Sequence, residues 1–289
     1  MLTNRFSPYA LLAPALIIAL GISFYPAYYA VDISLHRTSF FQKLNFVGLD
    51  NYRRLFLNPE FAQALVATMK FTFGSVVLII PMGLAFALLL NQPIRFSAFF
   101  RTVLILPWAL SQSVTAMLWM WILNPSYGPG NFILEQLGLP SILFLSEPNW
   151  TIWIVTAVNA WMSYPLPMVL FLAALQTVPK ELYDAAQIDG CSGWRQIWHI
   201  SIPWIKSTIM TTLIVMTLQV VNMVTLLYVM TGGGPLGTTQ TLSLFVFEDG
   251  FFNFKLASAA CAGVIIFVLN IIFSMSYIRV LRQSHMEER

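Results

Sequence analysis

Charged side chains are scarce in this sequence, and their scarcity decides its broad class. Only 9% of the 289 residues are Asp, Glu, Lys or Arg, whereas 58% are hydrophobic. A water-soluble domain carries about 25% charged residues, so most of this chain must be covered by lipid rather than by water. The net charge of +3 is small, and the basic residues form no stripe interleaved with aromatic residues. The composition therefore argues against nucleic-acid binding.

Cysteine and histidine are also rare. The two cysteines, Cys191 and Cys261, cannot form a disulfide framework, and we interpret them as reduced thiols without a special role. The three histidines are scattered, and none has a second ligand at metal-binding spacing. The sequence predicts no metal site.

Motifs for chemistry are missing as well. The run GGGPLG (232–237) lacks the G-x-x-x-x-G-K-[ST] pattern of a phosphate-binding loop, and we interpret it as a turn. No G-x-S-x-G nucleophile motif occurs. The twelve carboxylates include no pair within an apolar run, which disfavours a proton relay. We therefore predict that the chain is not an enzyme and binds no cofactor itself.

Long apolar runs take the place of these features. A membrane-spanning helix needs about 20 apolar residues. Six stretches qualify, at roughly 10–31, 71–91, 98–122, 151–174, 208–230 and 257–280. The first is too long for a signal-peptide core, so we interpret it as a retained span. Prolines within the runs predict kinks or broken helices at Pro14, Pro26, Pro81, Pro107, Pro165 and Pro167.

Basic residues between the runs predict the orientation in the membrane. One side collects nine of them, namely Arg5, Arg95, Arg101, Lys180, Arg195, Lys206, Arg279, Arg282 and Arg289. The other side collects five, namely Arg37, Lys43, Arg53, Arg54 and Lys255. The imbalance favours a cytoplasmic location for both termini.

A polar segment, ELYDAAQIDGCSGWRQIWHISIP (181–203), separates the fourth and fifth runs. Its first part is typical of a short helix, with Glu181 near the N-terminal end and Gly190 as a natural stop. The following GWRQIWHI is typical of an amphipathic helix, and Pro203 fits the first turn of the next span. Two interpretations stay open from these residues alone: a well-capped connection, or a module that docks into a groove of another protein.

The same segment resembles the EAA loop of ABC-importer permeases. The family pattern E-A-A-x3-G-x9-I-x-L-P is matched by Asp184-Ala185-Ala186, Gly190 and Ile200-x-Ile202-Pro203. Asp for Glu and Ile for Leu are the two departures, and they keep charge or hydrophobicity. The resemblance implies that this loop couples the chain to an ATPase subunit through Glu181, Tyr183, Asp184, Ala185, Ala186, Asp189 and Gly190.

Other segments are similar to one branch of that family, the sugar-type permeases of maltose and glycerol-phosphate systems. They are FVGLDNYRRLF (46–56), FRTVLILPWALSQSVTAMLWMWILNPSYG (100–128), NAWMSYPLPM (159–168) and TGGGP (231–235). The resemblance implies a second homologous permease subunit, a dimer of ATPase subunits that would bind ATP and magnesium, and a periplasmic or lipid-anchored solute-binding protein.

Polar residues within the apolar runs are candidates for a solute pathway. They are Gln112 and Ser113 in the third run, Asn159, Ser163 and Tyr164 in the fourth, and Gln219, Asn222 and Thr225 in the fifth. Trp119, Trp121, Trp161 and Tyr228 are near them in sequence. Helix-to-helix hydrogen bonds are one interpretation, and contacts to a neutral polyhydroxylated solute are the other. The resemblance favours the second, because Asn159, Met162, Ser163, Leu166 and Asn222 match positions near the sugar in maltose-type permeases.

The fold predicted from all of this is an all-α polytopic membrane protein with six transmembrane helices and the type I ABC-importer permease fold. Residues 1–289 form a single transmembrane domain, with a cytoplasmic coupling loop at about 178–206. The predicted function is that of a permease subunit for a carbohydrate. Alternatives are a permease for a glycerol-phosphate-like compound and a stand-alone secondary carrier.

Overall fold

A computed structural model describes residues 7–93 and 95–287 of the chain, and helices dominate it. In chain order, the helices up to residue 175 are α1 (Ser7–Ser34), α2 (Asp50–Leu57), α3 (Pro59–Leu90), α4 (Ser97–Ala109), α5 (Gln112–Ile122), α6 (Pro129–Gln136), α7 (Thr151–Ser163) and α8 (Pro165–Leu175). They are followed by α9 (Lys180–Ile188), α10 (Gly193–Gln196), a π-helical turn (Ile197–Ser201), α11 (Ile202–Trp204), α12 (Lys206–Val221), α13 (Thr225–Thr231), α14 (Leu242–Phe251) and α15 (Leu256–Glu287). Two short strands, β1 (His36–Ser39) and β2 (Gln42–Phe46), form an antiparallel hairpin that the sequence interpretation did not predict.

The six predicted spans divide into two kinds. The first, second and sixth are single helices, and their apolar segments are Leu12–Ser34, Pro59–Leu90 and Leu256–Arg279. The third and fourth are bent pairs of helices, α4 with α5 at 97° and α7 with α8 at 44°. The predicted fifth span, 208–230, is not one helix but α12 followed by α13, and α12 is bent by 69° against the preceding segment Gly193–Trp204. The second span begins earlier than the predicted residue 71, because α3 starts at Pro59.

Prolines interrupt only some of these helices. Pro107 lies in the last turn of α4, and Pro165 and Pro167 lie at the start of α8, where missing N–H groups weaken the ladder from α7. Pro14 and Pro26 lie inside α1, and Pro81 lies inside α3, without ending either helix. The prediction of broken helices is therefore correct for the third and fourth spans. Pro203 belongs to the three-residue α11 rather than to the first turn of α12, which corrects the expected position of that proline.

The chain separates into two compact units, the first comprising Met1–Ala62 with Phe245–Val268. In this unit, hydrogen bonds from α2 connect the start of the β-hairpin to the end of α1. Asn51 donates through its amide to the carbonyls of Ser34 (2.9 Å) and His36 (2.8 Å), and the Ser34 and Tyr52 hydroxyls are 2.8 Å apart. Burial raises the pKa of Tyr52 above its usual value. The prediction of a single domain over 1–289 stays a prediction.

The second unit comprises Gln63–Leu244 with Leu269–Arg289 and contains the large apolar core. Ala87 and Leu90 of α3 pack there with Met168, Phe171 and other buried residues of α8. Helices α3 and α8 approach each other closely at Gly83. A Cβ atom at Gly83 would lie 2.7 Å from Cβ of Pro167 and 3.1 Å from the amide nitrogen of Met168. A small residue is required for this contact, as is common between membrane helices.

Replacing Gly83 by Ala should destabilise the protein. The new methyl group meets a proline ring and backbone rather than a flexible side chain, so α3 and α8 must separate, at a cost of about 1–3 kcal/mol. Thermal inactivation of the purified protein in detergent measures the effect as a lowered midpoint. Gly21→Ala is the matched control, because nothing lies within 4 Å of a Cβ atom there. Equal midpoints for the two variants would contradict the close approach.

Candidate functional site

Three helix interruptions in the second unit meet at one cavity of about 580 Å³. They are the α4–α5 break, the α7–α8 break and the gap between α12 and α13. The cavity is lined by Trp108, Leu110, Ser111, Gln112, Met162, Ser163, Leu166, Gln219, Asn222, Met223, Val224 and Thr225. Each interruption thus contributes residues from both of its sides or from the break itself.

Side chains at the breaks form hydrogen bonds with backbone groups at the ends of the interrupted helices. Leu110 and Ser111 are both extended, and the Ser111 hydroxyl accepts a hydrogen bond of 3.3 Å from the amide N–H of Val114 as the N-cap of α5. At the end of α12, the side-chain amide of Asn222 donates at 2.7 Å to the carbonyl of Leu218, which also accepts the backbone N–H of Asn222 at 3.3 Å. Interrupted backbone at membrane depth is tolerated where it is buried in protein or lines a water-filled cavity. This cavity meets that condition.

The lining combines hydroxyls and amides with apolar surface. Gln219, Asn222 and Thr225 are exposed residues of the lining, and Trp108 is 55% exposed. None of the lining residues is charged. Such a site can form hydrogen bonds with the hydroxyls of a neutral solute and contact its C–H faces with the indole ring. It offers no opposite charge for an anion or a cation.

The structure brings seven of the candidate pathway residues into this lining. These are Gln112 from the third span, Met162, Ser163 and Leu166 from the fourth, and Gln219, Asn222 and Thr225 from the fifth. They come from segments that are far apart in sequence, and the three breaks converge to bring them together.

Other candidates lie behind the cavity wall. Asn159 is fully buried, where it donates to the Ser75 hydroxyl of α3 at 2.9 Å and accepts from the Ser163 hydroxyl at 3.0 Å. The Tyr164 hydroxyl donates to the carbonyl of Leu104 at 3.0 Å. Trp161 packs edge-on against Trp119, with ring centroids 5.5 Å apart. Ser113, Trp121 and Tyr228 also lie outside the lining. In this structure Asn159 and Tyr164 therefore position lining residues and helices rather than face the cavity.

Sequence reasoning missed part of the lining. Trp108, Leu110 and Ser111 surround the α4–α5 break, and Met223 and Val224 lie in the gap after α12. Pro107 was the available signal for the first group, because a proline in a span marks a possible break and hence residues next to a cavity. No residue pattern marked the gap between α12 and α13, since no proline or glycine occurs there.

The segment predicted to couple to a partner forms a separate, exposed feature. Helix α9 has no buried residue, and Ile188 at its end is 87% exposed. The helix ends as predicted: Gly190 has φ +72°, and the amide of Cys191 donates to the carbonyl of Ala186 at 2.8 Å. The exposed face carries Glu181, Asp184, Ala185 and Asp189, while Tyr183 and Ala186 are partly buried.

Two side-chain contacts join this segment to the spans. The Tyr183 hydroxyl lies 2.9 Å from the buried Ser201 hydroxyl in the π-helical turn. The indole N–H of Trp204 donates to the Thr177 hydroxyl after α8 at 3.2 Å. Helix α9 is thus tied to the segment that leads directly into α12, the helix that carries Gln219 and precedes Asn222.

The sequence profile of one protein family, described as the binding-protein-dependent transport system inner membrane component, matches residues 79–283. The chain belongs to this family. The match covers the interrupted spans and the exposed segment, so both features of this permease lie in the family region.

Curated relatives match the permease along almost its whole length. The trehalose/maltose transport system permease protein MalF of Thermococcus litoralis is 33% identical over 274 residues, which cover 94% of this chain and 92% of that protein. The sulfoquinovosyl glycerol transport system permease protein SmoG of Agrobacterium fabrum is 31% identical, covering 97% and 92%. The sn-glycerol-3-phosphate transport system permease protein UgpA of the same species is 32% identical, covering 92% and 91%.

A solved structure with the same fold is a chain of a bacterial alginate ABC transporter in complex with an alginate-pentasaccharide-bound periplasmic protein. It superposes with a TM-score of 0.84 and 24% sequence identity, and the match covers 96% of this permease and 94% of that chain. The predicted fold class, an all-α polytopic membrane protein with the type I ABC-importer permease fold, is confirmed. The predicted identity as a transport subunit and not an enzyme is confirmed by the family.

Asn159 and Ser75 should be energetically coupled. Alanine at either position removes the same buried hydrogen bond between α7 and α3, which is worth about 1 kcal/mol in a membrane protein. Each single variant should lower the thermal midpoint of the purified permease, and the double variant should add little to either. Additive losses in this double-mutant cycle would contradict the bond. Thr211→Ala, at an exposed position on α12, is the control for a hydroxyl outside this contact.

Proposed function

We propose that this permease forms half of the translocation pathway for a neutral carbohydrate, either a sugar or a related polyol. The observation that carries the proposal is the uncharged cavity at the three helix breaks. Its amides, hydroxyls and one exposed indole ring are the groups that a polyhydroxylated solute needs. A relative named for trehalose/maltose transport supports the same solute class. The relative named for sulfoquinovosyl glycerol transport supports a carbohydrate but not its neutrality, because that solute carries a sulfonate group.

A phosphate ester is the second candidate, because relatives named for sn-glycerol-3-phosphate transport are equally similar. Recognition of a phosphate group favours Arg or Lys, which form strong charge-assisted hydrogen bonds. Neither residue lines the cavity. The neutral solute is therefore the better match to this chain. The stand-alone secondary carrier is disfavoured, because the family works in binding-protein-dependent systems.

The proposed assembly contains a second homologous permease subunit and a dimer of ATPase subunits that bind ATP and magnesium. A periplasmic or lipid-anchored solute-binding protein delivers the solute, and lipid surrounds the spans. The exposed, partly apolar α9 is suited to dock into a groove on the ATPase. Its carboxylates Glu181, Asp184 and Asp189 need a polar or basic surface there. No nucleic acid takes part.

Both termini lie on the cytoplasmic side in this proposal, together with α9. Support for this orientation comes from the basic residues, including Lys180, Arg195 and Lys206, that flank α9 and the start of α12. Arg5 and Arg289, which contribute to the same charge imbalance, lie outside the described residues, and so does the side chain of Arg282.

Motion at α9 reaches the cavity through one continuous path. Closure of the ATPase subunits moves α9, and the Tyr183–Ser201 contact passes this movement to the segment Gly193–Trp204. That segment meets α12 at a bend of 69°, and α12 ends beside the cavity at Asn222. A rigid helix transmits a tilt along its whole length. The cavity would thus open to alternate sides as ATP is bound and hydrolysed.

The proposed function is tested by reconstitution. The permease and the proposed partner permease and ATPase are incorporated into proteoliposomes, and the proposed binding protein is supplied on the outside. Uptake of labelled neutral sugars is then compared with uptake of labelled sn-glycerol 3-phosphate, with internal ATP and with ion gradients only. ATP-dependent uptake of a neutral sugar is expected. Uptake of the phosphate ester alone would reject the neutral carbohydrate in favour of the second candidate.

Alanine at Gln219 or Asn222 should slow uptake while leaving assembly and basal ATP hydrolysis unchanged. Each variant removes one side chain that is exposed to the cavity, and the loss of about 1 kcal/mol of hydrogen bonding corresponds to a rate about fivefold lower. Uptake is measured at saturating loaded binding protein, so that the affinity of the binding protein does not mask the permease step. Thr211→Ala on the same helix, outside the lining, should transport normally. Wild-type rates in both test variants would remove these residues from the pathway.

Phenylalanine at Tyr183 should partly uncouple ATP hydrolysis from transport. The substitution keeps the ring and removes only the hydroxyl that contacts Ser201, so α9 moves without carrying the π-helical turn with it. We expect severalfold fewer solutes transported per ATP, with the complex still assembled. Ser201→Ala should have the same effect, and the double variant should not be worse. Tyr28→Phe, at an exposed position on α1, is the control. An unchanged transport-to-ATP ratio would disprove the transmission path.

A further inference from the structure

A second pocket in the same unit lies at the turn between α5 and α6. It has a volume of about 330 Å³, and its walls include Trp121, Tyr127, Phe132, Ser126 and Glu135. The three aromatic residues remain 53%, 70% and 61% exposed, so packing within the chain does not use them. Apolar rings, a hydroxyl and a carboxylate therefore share one concave surface that the solute cavity does not include.

The backbone that carries these rings is held firmly. A Cβ atom at Gly128 would lie 2.5 Å from the carbonyl oxygen of Asn124 and 2.6 Å from that of Ile122, so the turn is pressed against the end of α5. The Asn124 side chain accepts from the amides of Ser126 (2.9 Å) and Tyr127 (3.3 Å). The buried Asn131 bonds to both the amide and the carbonyl of Ile142. A pocket fixed in this way loses little conformational freedom when a ligand binds.

Position links this pocket to the solute cavity. Gln112, the first residue of α5, lines the cavity, and Trp121, near the last residue of the same helix, lines the pocket. The helix rises about 1.5 Å per residue, so Gln112 and Trp121 are about 14 Å apart along it. That distance exceeds one monosaccharide unit but is within reach of an oligosaccharide.

We propose that the pocket between α5 and α6 is a second carbohydrate-binding site of the permease, which holds a sugar unit at the far end of α5 from the cavity. The proposal rests on the proposed function for the class of ligand. Aromatic rings contact the C–H faces of a sugar ring, and the hydroxyls of the sugar donate to the Glu135 carboxylate and share hydrogen bonds with Ser126. Rings placed only to anchor the chain at the membrane interface would not need a carboxylate and a hydroxyl on the same concave surface.

Binding is tested on the purified complex in lipid nanodiscs, without binding protein. A panel of neutral sugars, comprising glucose, maltose, maltotetraose and trehalose, is titrated by calorimetry and by ligand-observed NMR. Wild type should bind at least one panel sugar saturably. Trp121→Ala combined with Tyr127→Ala should weaken this binding about tenfold, at roughly two- to tenfold per ring. Glu135→Gln, which preserves the shape of the pocket, should weaken it severalfold. Gln219→Ala in the cavity should leave the pocket signal in place.

Trp150→Ala is the matched control, since Trp150 is 65% exposed and lies outside the pocket walls. The proposal would be overturned if Trp150→Ala weakened sugar binding as much as the pocket variants do. It would also be overturned if the pocket variants reduced assembly while each assembled complex still bound sugar normally, because the rings would then be interface anchors. Absence of any panel-sugar binding to wild type would overturn it too. Binding of tetramethylammonium in place of sugars would identify a cation site instead. The uptake assay tests the proposed function separately from this proposal, because uptake can occur without sugar binding at this pocket.

Discussion

The backbone of a membrane-spanning segment has no water with which to pair its N–H and C=O groups, and this constraint organises the permease. Three spans are continuous helices that satisfy it internally. The third and fourth spans are interrupted, and their breaks lie with the gap between α12 and α13 around one cavity. The Ser111 hydroxyl pairs one freed backbone N–H at the α4–α5 break, and the Asn222 side chain adds a second hydrogen bond to the Leu218 carbonyl at the end of α12. The location of the cavity thus follows from where the helices stop.

The scarcity of charge acts at two levels. Across the whole chain it forces the spans into lipid, and within the cavity it leaves hydroxyls and amides as the means of recognition. Glu181 and Asp184 instead lie on α9, which has no buried residue and ends in the exposed Ile188. A charged and partly apolar helix that leaves most of its residues exposed is suited to a groove on another protein. The separation of charge therefore matches the proposed division between solute pathway and coupling surface.

Much of this arrangement could be predicted from the sequence, because bilayer thickness dictates the length of apolar runs and Gly190 has the positive φ expected of a helix stop. The hairpin of β1 and β2 was not predictable from a short polar segment without alternation. Pro81 and Pro107 have the same local chemistry, yet only Pro107 adjoins a break, since packing decides whether a helix bends or ends there. Asn159 and Ser163 lie one turn apart on α7. The position of Ser75 on α3, which no sequence pattern reveals, determines that Asn159 is buried and Ser163 faces the cavity.

The proposed coupling and the proposed solute recognition both involve α12. Its N-terminal side follows the segment joined to α9 by the Tyr183–Ser201 contact, and its C-terminal side carries Gln219 and is followed by Asn222. A loop connected only by flexible backbone would lose the displacement of α9 before it reached the spans. The π-helical turn places Ser201 in a buried position against Tyr183, so the displacement has a side-chain route in addition to the chain itself. The backbone amides of Asn222 and Met223 donate to the carbonyls of Leu218 (3.3 Å) and Val220 (3.1 Å), so Asn222 is held to the end of α12 and would move with that helix relative to Ser163.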